Sequence, residues 1–478
     1  MVVIIMILVL LAFLALGMKD ERWRPLLKKI MISGALLHNA ATIALFFFRQ
    51  QVAWKDYVSV DDISIIFTAL ISIIFTMVAI YSTSYLPLRR LSEVNESGMN
   101  IYVACMLFFL ATMTLAVSTL HIGVLWIAIE STTLASAPLI YYRQNKRSLE
   151  AAWKYLLICS VGIALALLGI FFVVASTRGT GANLSLGSLI ANARQFNPGL
   201  LRLGFILILI GFGTKMGLAP MHNWLPDAHS EAPSPISALL SATLLNCALL
   251  GIIRFFQICV AAGLAKFASD LLIIFGLFSL FVAAVFISFQ KNYKRLLAYS
   301  SVEHMGIIAL GMGIGADFAS LLHVVGHSLT KALLFLTAGN ILLLYKTKLA
   351  PDVSGLLRTS RPTGVLFTAG CLAVLGLPPF LPFISEFLIL QKGISGGYTM
   401  AMVLYLLFLG IIFVSVTKTI LPMVRGKQKI SVNMKLPATL ILPPMILLLI
   451  VVFLGIYLPH NVASLVDLAA RSISRIFG

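Results

Sequence analysis

Apolar runs long enough to cross a lipid bilayer dominate this sequence. A helix needs roughly 20 apolar residues to span the hydrocarbon core, and about fourteen such runs follow one another along the 478 residues. Only 11% of the residues are charged, against about 25% in an ordinary soluble domain. This pattern excludes a soluble enzyme and predicts an all-α, polytopic membrane protein.

The predicted spans have a clear order and two irregular members. Prolines interrupt the seventh and twelfth spans. The first run lacks a basic leading region and a small-residue cleavage site, so it is interpreted as a retained span rather than a signal peptide. The fourteen runs lie near residues 2–17, 30–48, 60–86, 101–119, 122–141, 151–176, 201–228, 233–260, 270–289, 296–315, 318–344, 363–391, 398–422 and 437–458.

The net charge of +18 would suggest nucleic acid in a soluble protein. Here the loops on one side of the predicted membrane hold 21 basic residues and the opposite side holds 9. Basic residues mark cytoplasmic loops, so we expect both termini on the outer face and no nucleic-acid partner. The richer side comprises the basic residues within 19–29, 89–90, 143–147, 291–295, 346–361 and 425–435. The nine are Arg49, Lys55, Arg178, Arg194, Arg202, Lys266, Lys392, Arg471 and Arg475.

Cofactor and metal motifs are weak in this chain. Gly211, Gly213 and Gly217 loosely resemble a nucleotide loop, but no strand–helix–strand pattern surrounds them. The cysteines lack CxxC spacing, and we interpret them as buried side chains rather than cluster or zinc ligands. They are Cys105, Cys159, Cys247, Cys259 and Cys371. The longest loop, about 177–200, cannot hold a soluble domain. We therefore expect no cofactor and no metal in the chain.

A few ionisable residues lie inside the apolar spans. A charge near the bilayer centre costs at least about 2.5–3.5 kcal/mol, so each is a functional hypothesis. Glu130 lies in the fifth span and Lys215 lies fourteen residues into the seventh. Lys154 lies near the start of the sixth, where snorkelling to the interface is the alternative. Arg254 and Lys418 lie toward span ends and are interpreted as anchors or ion-pair partners.

The eleventh span carries three ionisable residues on one helical face. His323, His327 and Lys331 are spaced i, i+4 and i+8. Glu386, in the twelfth span, closely follows a group of prolines. These residues predict a proton relay, because buried lysine, glutamate and histidine change protonation as their hydration and partners change. Buried ion pairs that only set helix register are the alternative.

Breaks in two spans accompany these charges. Pro220 follows Lys215 by five residues, and Pro382 precedes Glu386 by four. Each proline removes a backbone donor and opens its helix. Paired broken helices in two halves indicate an inverted-repeat transporter, here with units of spans 4–8 and 9–13. The predicted helix-breaking residues are Pro220, Pro378, Pro379 and Pro382.

Several segments resemble one family of membrane subunits. The segment GFGTKMGLAPMHNWLPDAHSEAPSPISALLSA is similar to a signature of the antiporter-like subunits of complex I, membrane-bound hydrogenases and Mrp antiporters. FQKNYKRLLAYSSVEHMG, HSLTKALLFLTAGN and FISEFLIL are similar to later spans of that family. The resemblance covers roughly residues 60–425 and implies fourteen helices with two inverted five-helix repeats. It divides the chain into 1–100, 101–262, 263–425 and 426–478.

The resemblance implies roles for individual residues. Glu130 and Lys215 match a glutamate and lysine that the family pairs, and Lys154 matches a lysine near them. The other relay positions that it implies are His327, Lys331 and the exit residue Glu386. We add His323 to the predicted relay because it shares a helical face with His327 and Lys331. His222 and His304 are predicted to support the relay. Asn246 departs from the pattern, because complex I subunits usually place a lysine there. The link between the half-channels must then use His323, His327, Lys331 or water.

The resemblance also implies a function and partners. SPISALLSATLLNC resembles most the F subunits of hydrogenase-4 and formate-hydrogenlyase-type complexes. The chain stops about 20 residues after its last span, without the long lateral helix of L-type subunits. We therefore expect a proton-translocating subunit without a redox centre, in a prokaryotic cell membrane beside further antiporter-like subunits. The alternatives are a Mrp-type Na⁺/H⁺ antiporter subunit, an M- or N-type complex I subunit, and a scaffold with vestigial ion pairs.

Overall fold

Every regular element of the described residues is a helix. The computed structural model describes residues 1–47, 57–90, 98–427 and 434–474. The first helices are α1 Val2–Gly17, α2 Arg24–Phe47, α3 Asp62–Arg90, α4 Met99–Val117, α5 Ile122–Ile140, α6 Lys146–Ser176 and α7 Leu186–Asn192. The next are α8 Pro198–Met216, α9 Trp224–Glu231, α10 Ser234–Leu239, α11 Leu245–Ala261, α12 Ala265–Phe289, α13 Tyr293–Gly313 and α14 Asp317–Tyr345. The last are α15 Leu356–Thr359, α16 Arg361–Val374, α17 Leu381–Ser395, α18 Thr399–Arg425, α19 Ala438–Ile456 and α20 His460–Ser474.

The helices confirm a polytopic membrane fold. Eleven helical segments in the described part of the chain are long and apolar enough to cross a membrane, and the shorter α1 is also apolar. The helix α13 is not among them, although it is 21 residues long. Charged side chains lower its mean hydropathy, and all of its residues from Tyr293 to Gly313 but Arg295 are buried in the bundle. The number fourteen, the inverted repeats and the four-part division of the chain stay predictions.

Both predicted helix breaks are confirmed. The seventh span consists of α8 and α9, which a turn at 217–220 separates, and the twelfth consists of α16 and α17. Each break contains a glycine with positive φ: Gly217 at +86° and Gly376 at +61°. Side chains rarely adopt this backbone conformation, so glycine lets each helix stop abruptly inside the bundle.

Three features differ from the simple pattern of spans and loops. The 177–200 loop contains the short helix α7, whose first turn Ser185 caps while Leu186 and Leu189 are buried. A π-helical segment, Leu240–Leu244, joins α10 to α11 inside the eighth span. After the last span, α20 buries an apolar face that includes Val466 and Ile473. Of the basic residues used for the topology prediction, Arg49, Lys55, Lys429 and Arg475 lie outside the described residues.

The ends of α3, α11 and α20 are tied together by polar contacts. Arg254 donates to both carboxylate oxygens of Asp61, at 2.6 and 2.7 Å, and its side chain is 2% exposed. Gln257, one turn further along α11, donates to the carbonyl oxygen of Ser472 at 2.8 Å. Arg254 is therefore an ion-pair partner, as its position near a span end predicted.

Candidate functional site: two buried lysine clusters

Lys215 lies in the last turn of α8, at the point where the seventh span breaks. A cation is favoured there because the final carbonyl groups of a helix carry partial negative charge. Its ammonium group is fully buried and donates to the carbonyl oxygen of Ile129 at 3.1 Å and to the hydroxyl group of Thr133. The ring of Tyr155 lies 5.7 Å away. The helix break thus places a cation against α5.

Glu130 is joined to this lysine through Thr133. The Thr133 hydroxyl donates to Glu130 Oε2 at 3.3 Å, and Ser160 on α6 donates to Glu130 Oε1 at 3.2 Å. Glu130 is half-buried, whereas Lys215 and Thr133 are buried. We call Glu130, Thr133 and Lys215 the first cluster. It contains an acid and a base with one hydroxyl group between them.

The structure does not bring Lys154 into the first cluster. Its ammonium group pairs with Glu150 at 2.6 Å and with Asp227 at 3.1 Å, and its side chain is 45% exposed. Arg295 on α13 pairs with the same aspartate at 2.9 Å. Lys154 therefore belongs to an ionic network centred on α9, although it lies in the sixth span as predicted.

Lys331 has surroundings that resemble those of Lys215. It is fully buried on α14 and donates to the carbonyl oxygen of Leu297 at 3.1 Å and to the hydroxyl group of Ser300. The buried carboxyl group of Glu303, also on α13, interacts with it electrostatically. Each lysine thus bonds to one carbonyl and one hydroxyl group of a neighbouring helix, and each has an acid nearby.

Three histidines lie beside Lys331. His304 Nδ1 and His323 Nε2 are 2.8 Å apart, and their rings are stacked. The ring of His327 lies 5.1 Å from that of His304. Since a carbonyl oxygen only accepts, His327 Nε2 donates to the carbonyl of Ser241 at 3.3 Å. The other nitrogen of His327 is buried, and no residue in the described part of the chain makes a hydrogen bond to it, so it is free to accept a proton.

Glu386 completes this second group. A carboxylate oxygen of Glu386 and one ring nitrogen each of His304 and His323 all lie within 4.8 Å of one another. Its carboxylate also lies against the break of the twelfth span, where a Cβ on Gly376 would collide with it. We call these residues the second cluster. Its members are Glu303, His304, His323, His327, Lys331 and Glu386.

Asn246 lies on α11 and contacts α14. Its amide nitrogen donates to Ser328 on α14 at 2.7 Å and to the carbonyl of Ala242 at 2.8 Å. Its Oδ1 is buried and has no hydrogen-bond partner among the described residues. Because Ser328 follows His327, this contact places Asn246 against the helix that carries His323, His327 and Lys331 of the second cluster.

The remaining predicted positions shape the breaks. Pro220 precedes the turn that contains His222, whose ring lies 6.2 Å from Phe286 and 6.1 Å from Tyr299. In the other break Pro382 packs against Gly326 on α14. The bond between Pro378 and Pro379 is cis, as is that preceding Pro220. These residues position α9 and α17; His222 makes no direct contact with the first cluster within the described residues.

One group of described residues is close enough to share a metal ion: His304, His323 and Glu386. Two nitrogens bound to one tetrahedral ion lie about 3.3 Å apart, given bonds of about 2.05 Å. The facing nitrogens here are 2.8 Å apart, which is the separation of a hydrogen bond. The geometry therefore suits an imidazole pair that shares a proton.

Sequence reasoning missed four members or neighbours of the clusters. Glu303 is an acid inside an apolar span, so the rule that selected Glu130 could have found it. Thr133, Ser300 and Ser385 are hydroxyl residues, which are common in membrane helices. The Oγ of Ser385 lies 2.9 Å from His323 Nδ1. Only the side chains that they face, contributed by other helices, distinguish them.

A model of one membrane-protein family matches more than half of the chain. Residues 119–413 match the model of the NADH:quinone oxidoreductase/Mrp antiporter transmembrane family. This chain belongs to that family. It is 39% identical over 360 residues to a hydrogenase-4 component F homolog of Methylacidiphilum infernorum. The aligned region covers 74% of this chain and 76% of the relative.

Two solved structures share the fold of this family member. A chain of the membrane-bound sulfane sulfur reductase, an archaeal respiratory membrane complex, superposes with a TM-score of 0.88 at 23% identity and covers 99% of this chain and 98% of that one. A chain of the Mrp complex from Dietzia superposes with a TM-score of 0.85 at 16% identity, covering 99% and 96%. The fold is therefore that of an antiporter-like membrane subunit.

Proposed function

We propose that this chain is a proton-translocating subunit of a redox-driven membrane complex of the hydrogenase type. The observation that carries the proposal is the pair of buried lysines, each seated on a carbonyl and a hydroxyl group with an acid nearby. Isolated buried charges are expensive in a bilayer. Their repetition in two clusters supports transport rather than a role in helix register alone.

In this mechanism protons enter and leave through the two clusters. A proton on Lys215 passes to Glu130 by way of the Thr133 hydroxyl, and the lysine is then neutral until it is reloaded. In the second cluster Lys331 loads the histidines, and Glu386 receives the proton at the break of the twelfth span. The link between the clusters uses His327, Lys331 and water, and the hydrogen bond from Asn246 to Ser328 holds α11 against α14. The chain itself carries no redox centre in this proposal, so electron transfer occurs in partner subunits.

The proposal includes a location and partners. We place the chain in a prokaryotic cell membrane with both termini outside, beside further antiporter-like subunits. The similarity to a hydrogenase-4 component F homolog favours the hydrogenase branch. The fold shared with a Mrp complex keeps a Na⁺/H⁺ antiporter subunit as the alternative. An M- or N-type subunit of complex I is the other member of the family to test.

Purification and transport measurements test the proposal together. The tagged full chain is purified from its own membranes, and its partners are identified by mass spectrometry. Nickel–iron hydrogenase subunits support the proposal, while small Mrp-type subunits overturn it in favour of the antiporter.

In inverted membrane vesicles, Lys215→Met should abolish proton uptake driven by the electron donor. Lys266→Met, at an exposed position, is the matched control. Unchanged uptake with Lys215→Met in an assembled complex would refute the relay.

A further inference from the structure

We propose that the crevice between α5 and α6 binds one anionic phospholipid. The acyl chain lies in the crevice, and the phosphate group binds basic residues at its mouth. The binding site is independent of the proposed function, and only its consequence for proton uptake rests on that function.

The crevice is an apolar groove of about 370 Å³ that opens at the surface of the bundle. Small buried side chains form its floor: Ala137 of α5 and Ala152 of α6. Large apolar side chains form its walls, where Leu134 is 63% exposed, Leu149 41% and Trp153 55%. In a bilayer, a groove of this kind on the outside of a helix pair lies against the acyl chains of the lipid.

The lining of the groove favours an acyl chain over water. Leucine, alanine, proline and two aromatic residues line it, and their only polar side-chain atoms are the hydroxyl oxygen of Tyr141 and the indole nitrogen of Trp153. A bound water needs about two to four polar partners, so a chain of waters would lack partners along most of the groove. Tyrosine and tryptophan are common where membrane helices reach the interface, and Tyr141 directly follows α5. The groove therefore begins at the level of the headgroups.

Basic residues lie at this end of the groove. Lys146 begins α6 and precedes Leu149 and Trp153 by three and seven residues, so it lies on the helical face that lines the groove. Arg147 follows it, and Arg143 lies in the turn that joins α5 to α6. The mouth of the groove therefore carries three positive charges within a short stretch of chain.

These charges suit an anionic headgroup. Lys146 and Arg147 are exposed, and neither forms an ion pair with another residue in the described part of the chain. The nearest acid along α6, Glu150, is already paired with Lys154 at 2.6 Å. The turn also lies on the side of the membrane that the basic residues predict to be cytoplasmic, where anionic lipids attract such residues. Charge complementarity therefore favours an anionic phospholipid over a zwitterionic one.

The deep end of the groove lies beside the first cluster. Leu134 follows Glu130 by four residues on α5, so the two side chains share a helical face. On α6, Leu156 precedes Ser160 by four residues and shares its face. Ser160 donates to Glu130 Oε1 at 3.2 Å, and this bond closes the crevice at mid-membrane depth. The groove thus runs for about 10 Å along the helices, at about 1.5 Å per residue, from the headgroups to Glu130.

The bound acyl chain covers the exposed side of Glu130. Glu130 is half-buried and Ser160 is exposed, so water in the crevice would offer the proton of Glu130 a second path. Hydrocarbon in the crevice excludes that water, because it supplies no hydrogen-bond partners. The carboxylate then exchanges its proton through Thr133, which donates to its other oxygen. The lipid therefore acts as a seal for the first cluster.

Quenching of Trp153 fluorescence by brominated lipids tests the binding. The purified complex is reconstituted in phosphatidylcholine vesicles with increasing fractions of brominated phosphatidylglycerol or brominated phosphatidylcholine, and the Trp153 signal is the difference between the wild type and Trp153→Phe. Phosphatidylglycerol should quench at a lower fraction, by about fivefold for each basic residue that contacts it. Lys146→Gln combined with Arg147→Gln should remove this preference. Lys291→Gln combined with Arg425→Gln, at two exposed positions on the same predicted side, is the matched control and should keep it.

Two results would overturn the lipid site. Equal quenching of Trp153 by the two lipids would show ordinary contact with the bilayer. No quenching by either lipid in the assembled complex would show that a helix of a partner subunit fills the groove. Ala152→Leu, which places a larger side chain on the groove floor, should reduce the quenching by phosphatidylglycerol to the level of phosphatidylcholine.

Donor-driven proton uptake measures the consequence for the first cluster. The wild-type complex should take up protons faster with phosphatidylglycerol than in phosphatidylcholine alone, and the variant without the charges of Lys146 and Arg147 should not respond. If Lys215→Met leaves uptake unchanged, the proposed function fails, but the quenching result still decides the lipid site. Selective quenching with equal uptake in both lipids, while Lys215→Met is inactive, overturns the sealing role alone.

Discussion

Lys215 and Glu130 are bridged by the hydroxyl group of Thr133, which accepts from the ammonium group and donates to the carboxylate at 3.3 Å. A direct ion pair would hold the proton on the lysine, because each charge would stabilise the other. The intervening hydroxyl group lets the proton move between them by small rotations. The distance between acid and base is therefore set by a residue without charge.

Replacing Thr133 by valine should slow proton uptake at least roughly tenfold, because the side chain keeps its shape and loses its hydroxyl group. Thr133→Ser should retain uptake. The measurement is donor-driven acidification of inverted vesicles that contain the assembled complex. Thr68→Val is the control, since Thr68 is a buried threonine of α3 that bonds to the carbonyl of Ser64. Full uptake in Thr133→Val would show that Lys215 and Glu130 exchange protons by another route.

Lys154→Met should reduce uptake by less than about twofold, in contrast to Lys215→Met. Lys154 is half-exposed and paired with Glu150 and Asp227, and such pairs contribute about 0–1 kcal/mol to stability. Arg295→Met removes the other partner of Asp227 and serves as the comparison. If the Lys154 and Lys215 variants lost uptake equally, Lys154 would take part in proton transfer.

Replacing Glu303 and replacing Lys331 should have effects on the free energy of unfolding that depend on each other. Removing either one leaves the other as a buried group without its opposite charge, and removing both leaves neither. In a double-mutant cycle, we expect the changes in the free energy of unfolding caused by Glu303→Gln and Lys331→Met to depart from additivity by about 0.5–3 kcal/mol. Denaturant unfolding in detergent measures this. The pair Glu303→Gln and Lys215→Met, taken from different clusters, should be additive; equal coupling in both cycles would contradict the prediction.

The Arg254–Asp61 pair should matter for stability rather than for transport chemistry. Asp61→Asn leaves a buried guanidinium group uncompensated, and loss of one partner of a buried ion pair costs about 3–5 kcal/mol. Asp467→Asn breaks an exposed pair with Arg471 and should cost about 0–1 kcal/mol. Thermal unfolding of the two variants gives the comparison. Similar losses in both would show that the buried pair is solvated.

The fold was largely predictable because bilayer thickness imposes one length scale on every span. The breaks in the seventh and twelfth spans were also predictable, since prolines there open the helices. The number fourteen stays a prediction: the bundle shields α13 from lipid, so hydropathy does not reveal whether it spans. The short helix α7 could not be foreseen, because two buried leucines and a serine cap are too weak a pattern.

The site was predictable wherever a charge lies in an apolar run. This rule selected Glu130, Lys215, Lys331 and Glu386, and applied evenly it would have selected Glu303. It did not reveal the partners of Lys154, because the position of Asp227 on the broken helix is a tertiary property. A rule based on charge does not select hydroxyl residues that belong to the site. A serine or threonine in a membrane helix most often forms a hydrogen bond to the backbone of its own helix.

The number of residues in the π-helical segment Leu240–Leu244 determines how the second half of the eighth span is rotated about its axis. Each residue turns an α-helix by about 100°, so deleting one residue there would swing the whole downstream half of the span around its axis. Asn246 would leave Ser328, and Arg254 would leave Asp61, in a single step. The length of this segment therefore determines both contacts at once, and a one-residue insertion or deletion would break both while the other side chains stayed the same.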